Sequence, residues 1–422
     1  MRYLITFEMK KIGKSVFFPV MLGCIFLMIV FYFIFVYTNT ERKENILENE
    51  KISLHSYEKE FLELEEVLAS GEKDFFDPEF KSEYDGVKHF FEEKQAIVTA
   101  LENNDWQSYL QVENDKLIDE PYYQEYLEKG RILYSTTYST DFNMITYIER
   151  NKWLYDHQIA PVLPLTLFAW LTAYDVNFSD DLLEELVKKL AVVYSSTGYY
   201  FLYHLFSYLF SIIGIAVFIL LFGQVVTREG YGSNGTLHLL WTQPIQRRHI
   251  LISKFIAILF VSVVIILCIT LFSFLLGTIF DRMGEWNYPI LIYGEEVTFS
   301  FMKLAPFLMK SLGLFFILLI FSYTLHFLFS LITKRALISV VLTISVIGLG
   351  SYFRESLLSF PFSQYLPFHY VDIFSIVTNE YAVVVNDFRF TYLNGILSFV
   401  VSILIVVVFI YFVLLFQQKH VR

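Results

Sequence analysis

The run Val16-Phe-Phe-Pro-Val-Met-Leu-Gly-Cys-Ile-Phe-Leu-Met-Ile-Val-Phe-Tyr-Phe-Ile-Phe-Val-Tyr37 contains no charged side chain. About 20 consecutive apolar residues are what an α-helix needs to cross the hydrocarbon of a bilayer. The run is too long for the apolar part of a secretory signal, and no small-residue cleavage site follows it. It therefore reads as a retained span over 16–38. Five further stretches have the same character: Gly198–Val226, Ile250–Phe280, Ser311–Thr333, the shorter Ala336–Phe353, and Tyr392–Phe416. Lys254 lies at the start of the third, where a long side chain can snorkel to the interface. Backbone groups in lipid must bond within their own segment, which makes such stretches helices. The expected fold class is an all-α polytopic membrane protein with six transmembrane helices.

Composition agrees. Of 422 residues, 55% are hydrophobic, 19% aromatic and 18% charged, whereas a soluble domain is about 45–50% apolar and about 25% charged. The net charge of −11 is unevenly divided. Between Asn39 and Tyr200 there are 33 acids against 15 bases; the remainder carries 10 acids and 17 bases. One acidic, water-compatible module thus interrupts a mildly basic, very apolar chain, which argues against nucleic-acid binding. Cys24 and Cys268 both sit inside apolar runs, so they support neither a disulfide framework nor a zinc cluster.

Orientation follows from lysine and arginine in short loops. Residues 1–15, 227–249 and 417–422, the Lys334-Arg335 turn and Lys254 together carry twelve bases against Glu8 and Glu229. Segments 281–310 and 354–391 carry five bases against eight acids. Both termini are therefore expected in the cytoplasm, and the acidic module, 39–197, outside the cell. Within it, Glu41–Ser70 reads as a helix that stops at Gly71. Ser179, Asp180 and Asp181 supply a hydroxyl and two carboxylates for a helix start, predicting a helix over Asp180–Tyr194. Alternation of the strand kind is scarce, so the module is expected to be mainly α, its many carboxylates a solvated face. Residues 354–391, rich in Phe, Tyr and Pro but too polar to cross, suit an amphipathic or re-entrant segment.

No catalytic motif stands in the sequence. Gly13-Lys14-Ser15 resembles the end of a phosphate-binding loop, but Glu8 stands where its first glycine belongs, no strand precedes it, and a span follows. No H-E-x-x-H or G-x-S-x-G occurs. His204 and His326 are the histidines well inside spans, and a neutral histidine bonded between helices is the expected role. No Asp or Glu lies in any span core, so an ion-coupled carrier lacks its usual carboxylate.

The 227–249 loop is the most informative polar stretch. Gly230, Gly232 and Gly235 break the chain out of the second span, and Thr236–Thr242 suits a short helix with Leu237, Leu240 and Trp241 on one side. Pro244 ends it, and Arg247 and Arg248 mark the entry to the third span. Glu229, Gly235-Thr236-Leu237, Leu239-Leu240, Thr242, Pro244-Ile245, Arg247 and Ile250-Leu251 to Lys254-Phe255 together resemble the signature of ABC-2-type permeases. Tyr231–Asn234 is an insertion relative to that pattern. Phe7-Glu8-Met9-Lys10-Lys11 is similar to the family's N-terminal amphipathic helix, and 354–391 to its external hairpin.

The resemblance implies the membrane subunit of a type V-like ABC exporter. The chain would not be an enzyme by itself and would hold no cofactor; ATP and Mg would sit on an ABC ATPase dimer supplied in trans. A second copy of the permease or a related one would complete the channel, with membrane lipid around it. The implied ATPase-coupling residues are Glu229, Gly235, Thr236, Leu237, Leu240, Trp241, Thr242, Pro244, Arg247 and Arg248, with Glu8, Lys10 and Lys11 on the N-terminal connecting helix. An amphipathic substrate moved outward, whether peptide, antibiotic or lipid, is the expected cargo. High Phe, Tyr, Ile and Lys usage points to a low-GC Gram-positive bacterium, in which export of an antimicrobial peptide or an antibiotic is the expected activity. The competing reading is a membrane sensor or immunity protein whose outer module binds a peptide. A pure sensor, however, has no need of a G-T-L-x-L-L-x-T-x-P helix at the cytoplasmic face.

Overall fold

A computed structural model describes residues 2–71, 73–167, 170–225 and 247–419 of the chain, and these are mostly helical. Helix α1 (Arg2–Gly13) leads into the uncharged α2 (Phe17–Asn39). The polar sequence that follows builds six helices: α3 (Lys43–Ser70), α4 (Pro78–Glu102), α5 (Trp106–Ile118), α6 (Pro121–Lys129), α7 (Asp141–Asp156) and α8 (Asp181–Leu190). Gly71 ends α3 at φ 72°, and its N–H is donated to the Leu68 carbonyl; a residue with a Cβ is strained there. Asp77, with Pro78 behind it, opens α4 by accepting the Glu79 N–H. The two helices run antiparallel, joined by the stacked pairs Tyr57–Phe90 and Phe61–Phe91 and by the Lys94–Glu50 ion pair at 2.7 Å.

The core of this module is α7, on which Phe142, Ile145, Ile148 and Leu154 are buried. Its start is fixed by Asp175. That carboxylate accepts from the Thr140 N–H (3.1 Å) and hydroxyl (2.9 Å), the Asn143 amide (2.7 Å), and the Thr172 N–H (2.9 Å) and hydroxyl (2.8 Å). A buried carboxylate is tolerated when its lone pairs are all used in this way. Helix α8 is capped by Asp180, which accepts from the Leu182 N–H, and it ends at Leu190 rather than Tyr194.

Among the described residues, four helices are long and apolar enough to cross a membrane: α2, α11 (Arg247–Phe280), α12 (Leu304–Thr333) and α14 (Tyr392–Lys419). A fifth crossing results if α9 (Gly198–Leu209) and α10 (Ile212–Phe222), bent by 73°, count as one; α13 (Ala336–Tyr352) is shorter. The single expected helix over 198–226 is thus broken. The Ser211 hydroxyl accepts the Ile213 N–H and starts a new helix, and a Cβ on Gly214 would lie 1.8 Å from the Leu209 carbonyl oxygen. Sharp kinks at Ser and Gly have this origin.

Segment 281–310, expected as a plain loop, contains a two-stranded hairpin, so the fold is not purely α. Strand β1 (Pro289–Tyr293) pairs antiparallel with β2 (Phe299–Lys303), Leu291 opposite Phe301. Helix α12 then starts at Leu304 instead of Ser311. Leu291 and Tyr293 are buried against Phe142 and Tyr174 of the polar module, and the Ala173 N–H is donated to the Tyr293 hydroxyl at 2.9 Å. The hairpin also meets the 354–391 segment, since the Tyr293 N–H reaches the Thr378 carbonyl at 2.9 Å. That segment folds into short turns whose Tyr370, Ile373 and Ile376 are fully buried. Tyr370 lies against Gly395 of α14, and Phe368 lies so close to Gly350 of α13 that an added Cβ would be 2.3 Å away. Three separate stretches of chain therefore make one continuous cap at one end of the apolar helices.

Candidate coupling site

At the opposite end, α1 lies across the start of α11. Its inward positions are Ile5, Glu8, Met9 and Ile12, spaced as one helix face, with Glu8 and Ile12 buried and Tyr3 and Phe7 exposed. Glu8 is the exception in an otherwise apolar stripe. It is only 3% exposed, and its Oε2 stands 3.7 Å from the Nζ of Lys254, which is 2% exposed. Lys254 also donates to the Val225 carbonyl at 3.0 Å. One ammonium thus joins the N-terminal helix, the third apolar helix and the chain just beyond α10. Lys11, Ile12, Phe18, Leu221 and Gln224 surround Glu8 in a shallow pocket.

The end of α10 is held from the other side. The His326 imidazole, 1% exposed, places Nε2 3.2 Å from the Gly223 carbonyl and Nδ1 3.3 Å from the Thr343 hydroxyl, linking α10, α12 and α13. For His326 this is the interhelical role expected from sequence; His204, expected to play the same role, instead accepts the Ser195 N–H at 3.2 Å from the chain just before its own helix. Gly223 approaches α13 closely: a Cβ there would meet Val340 at 2.2 Å. The Tyr323 and Ser262 hydroxyls, 2.7 Å apart, tie α12 to α11.

Of the coupling residues inferred from the sequence, Glu229, Gly235, Thr236, Leu237, Leu240, Trp241, Thr242 and Pro244 lie outside the described residues. Arg247 and Arg248 open α11. Glu8 and Lys10 part company on α1, the first buried and the second exposed; Lys11 is half-buried beside Glu8. Lys254 does not snorkel: it is buried and paired. A lone carboxylate on the apolar face of α1 was the available signal, since a buried acid requires a buried base. Among the described residues no group of three His, Cys, Asp or Glu side chains is arranged to hold a metal ion.

A bundle of apolar helices with a polar cap at one end and a buried polar clamp at the other is the architecture of a membrane-embedded protein. The family model for ABC-2 family transporter proteins matches residues 9–421, and the chain belongs to that family. It is a membrane component of a transporter rather than an ATPase, and the family implies an ABC ATPase partner. No curated protein and no solved structure matches the chain.

Proposed function

We propose that the chain is the permease half of an ATP-driven exporter that moves an amphipathic substrate outward. In this reading residues 39–197 lie outside the cell, both termini lie in the cytoplasm, and an ATPase dimer docks on the 227–249 loop. The observation that carries it is the Glu8–Lys254–Val225 clamp. The loop expected to receive the ATPase is bounded on one side by Val225 and on the other by the helix bearing Lys254, and Lys254 bonds both the Val225 carbonyl and Glu8 of α1. A push on that loop therefore reaches α1, α10 and α11 together, without a soft joint between them. Packed elements of this kind are one route by which coupling travels between sites.

Leu237, Leu240 and Trp241 are the apolar anchors of this docking, with Glu229 and Arg247 beside them. Buried anchors dominate interfaces, each costing about 2 kcal/mol or more on truncation. Co-purification of the partner ATPase with a Leu240→Ala/Trp241→Ala variant tests the reading, and a strong loss of partner at unchanged membrane insertion is expected. Full retention of the partner and of its substrate-stimulated ATP hydrolysis would place the docking elsewhere.

A further inference from the structure

A cavity of 410 Å³ lies where the cap meets the ends of α2, α9 and α11. Its size is that of a small-molecule site, commonly about 300–1,000 Å³. The wall is polar and carries both signs of charge: Glu41, Glu44 and Asp281 against Arg42, Lys43 and Arg282. Among the described residues, each base is held by a neutral neighbour rather than by an ion pair. The Arg42 guanidinium lies 4.2 Å from the Tyr37 ring centroid, Lys43 donates to the Asn104 side-chain oxygen at 2.5 Å, and Arg282 donates to the Pro161 carbonyl at 2.8 Å. Glu41 has neither ion pair nor hydrogen bond among the described residues. Trp106 and Tyr109 complete its surroundings with aromatic surface, which favours an ammonium near a carboxylate.

The cavity adjoins a backbone junction between two helices. The Gly198 and Tyr199 N–H groups are donated to the Arg282 and Met283 carbonyls at 2.9 and 3.1 Å, stitching the start of α9 to the end of α11. Apolar side chains are exposed on the two helices that reach it: Phe31 and Ile34 on α2 and Ile279 and Phe280 on α11 are at least half exposed, and Phe280 belongs to the cavity wall itself. A polar chamber balanced in charge thus stands at the end of apolar helix faces.

We infer that this cavity binds the zwitterionic head of an amphiphile, an anionic phosphate against Arg42 and Arg282 and an ammonium against Glu41, with the acyl part along α2 and α11. The inference deepens the exporter reading by naming a substrate class, and it rests on the membrane placement proposed there. A charge-balanced wall discriminates against purely anionic and purely cationic heads, because either leaves charges of one sign unmatched.

The test uses the full chain in detergent micelles, titrated by native mass spectrometry with dihexanoyl-phosphatidylethanolamine, dihexanoyl-phosphatidylglycerol and free glycerophosphoethanolamine. Saturable binding of one phosphatidylethanolamine per chain is expected, with phosphatidylglycerol about tenfold weaker, as loss of one charged hydrogen bond gives. Glu41→Gln should remove that preference while Glu41→Asp keeps it, and Arg42→Gln should weaken both lipids. Thermal unfolding of each variant separates lost binding from lost folding. Binding of the free headgroup as tight as that of the lipid would uphold the site and assign it to a soluble zwitterion. Equal affinity for the two lipids, or a Glu41→Gln protein that still discriminates between them, would overturn the inference. No ATPase is needed, so that failure would leave the coupling reading standing, and a failed docking test would leave this one standing.

Discussion

Glu8 and Lys254 face each other at 3.7 Å, each almost wholly shielded from solvent. At the effective dielectric suited to such sites, the bare attraction between unit charges at that distance is about 4 kcal/mol, and desolvation opposes it. Truncating one partner is the severe perturbation, because the other charge stays buried; such losses are about 3–5 kcal/mol. Replacing both by uncharged side chains of similar size, Glu8→Gln with Lys254→Met, avoids that penalty and is expected to cost much less than the two single changes together. Both residues make further contacts, so each single variant measures more than the pair, and a double-mutant cycle is needed to isolate it. We expect a coupling energy of about 2–4 kcal/mol from SDS-titrated unfolding in mixed micelles. The double variant should insert and fold, yet stimulate its partner ATPase poorly, because α1 no longer follows α11. A coupling energy below about 0.5 kcal/mol, the scatter of independent sites, would refute the clamp. Normal ATPase stimulation by the double variant would remove it from the transmission path.

Asp175→Ala strips five donors around the start of α7 of their acceptor and should lower the stability of the cap by about 3 kcal/mol or more, read as a fall in its thermal unfolding midpoint, with Asp175→Asn milder. Gly277→Ala should cost about 1–3 kcal/mol by the same measurement, since an added Cβ would stand 2.6 Å from the Gly198 Cα where α9 and α11 cross. A cysteine replacing Ser82, which is exposed on α4, should react with an impermeant thiol reagent in whole cells, while one replacing Ser233 should not. Labelling in the reverse order would invert the proposed orientation.

Features governed by local chemistry were legible in the sequence. An uncharged run such as 16–37 has few options other than a helix, and Gly71 stops α3 because a left-handed residue costs glycine little. What escaped depends on partners distant in sequence. The break near Ser211 sits in an apolar stretch whose hydropathy is unbroken, and it is sustained by tertiary contacts: Phe210 packs against Phe315 at 4.6 Å, and its freed carbonyl accepts the Ile373 N–H at 3.4 Å. The hairpin left a fainter trace. Pro289-Ile-Leu-Ile-Tyr293 and Phe299-Ser-Phe301, separated by five residues that begin Gly294-Glu295-Glu296, are a strand-turn-strand pattern, but a short one set between two long apolar runs. In the candidate site, Glu8 was singled out by its place in the N-terminal motif, but its burial was not foreseen. Charge within an amphipathic helix is read as facing water until a buried counter-charge appears, and Lys254 lies more than two hundred residues away.

The shared construction of the cap bears on how such a protein changes over evolutionary time. An insertion held only by its two ends is a cassette, free to be exchanged or lost. Here Leu291 and Tyr293, from beyond the third apolar helix, fill the interior of the module that precedes the second, and Thr378 and Asn379 bond to the backbone of Tyr293 in turn. Excising 43–190 would lay bare the buried Leu291 and Tyr293 and leave the Tyr293 hydroxyl without the Ala173 N–H it now accepts. A change in any one of the three stretches therefore falls on the packing of the other two, and the three are expected to vary as one unit.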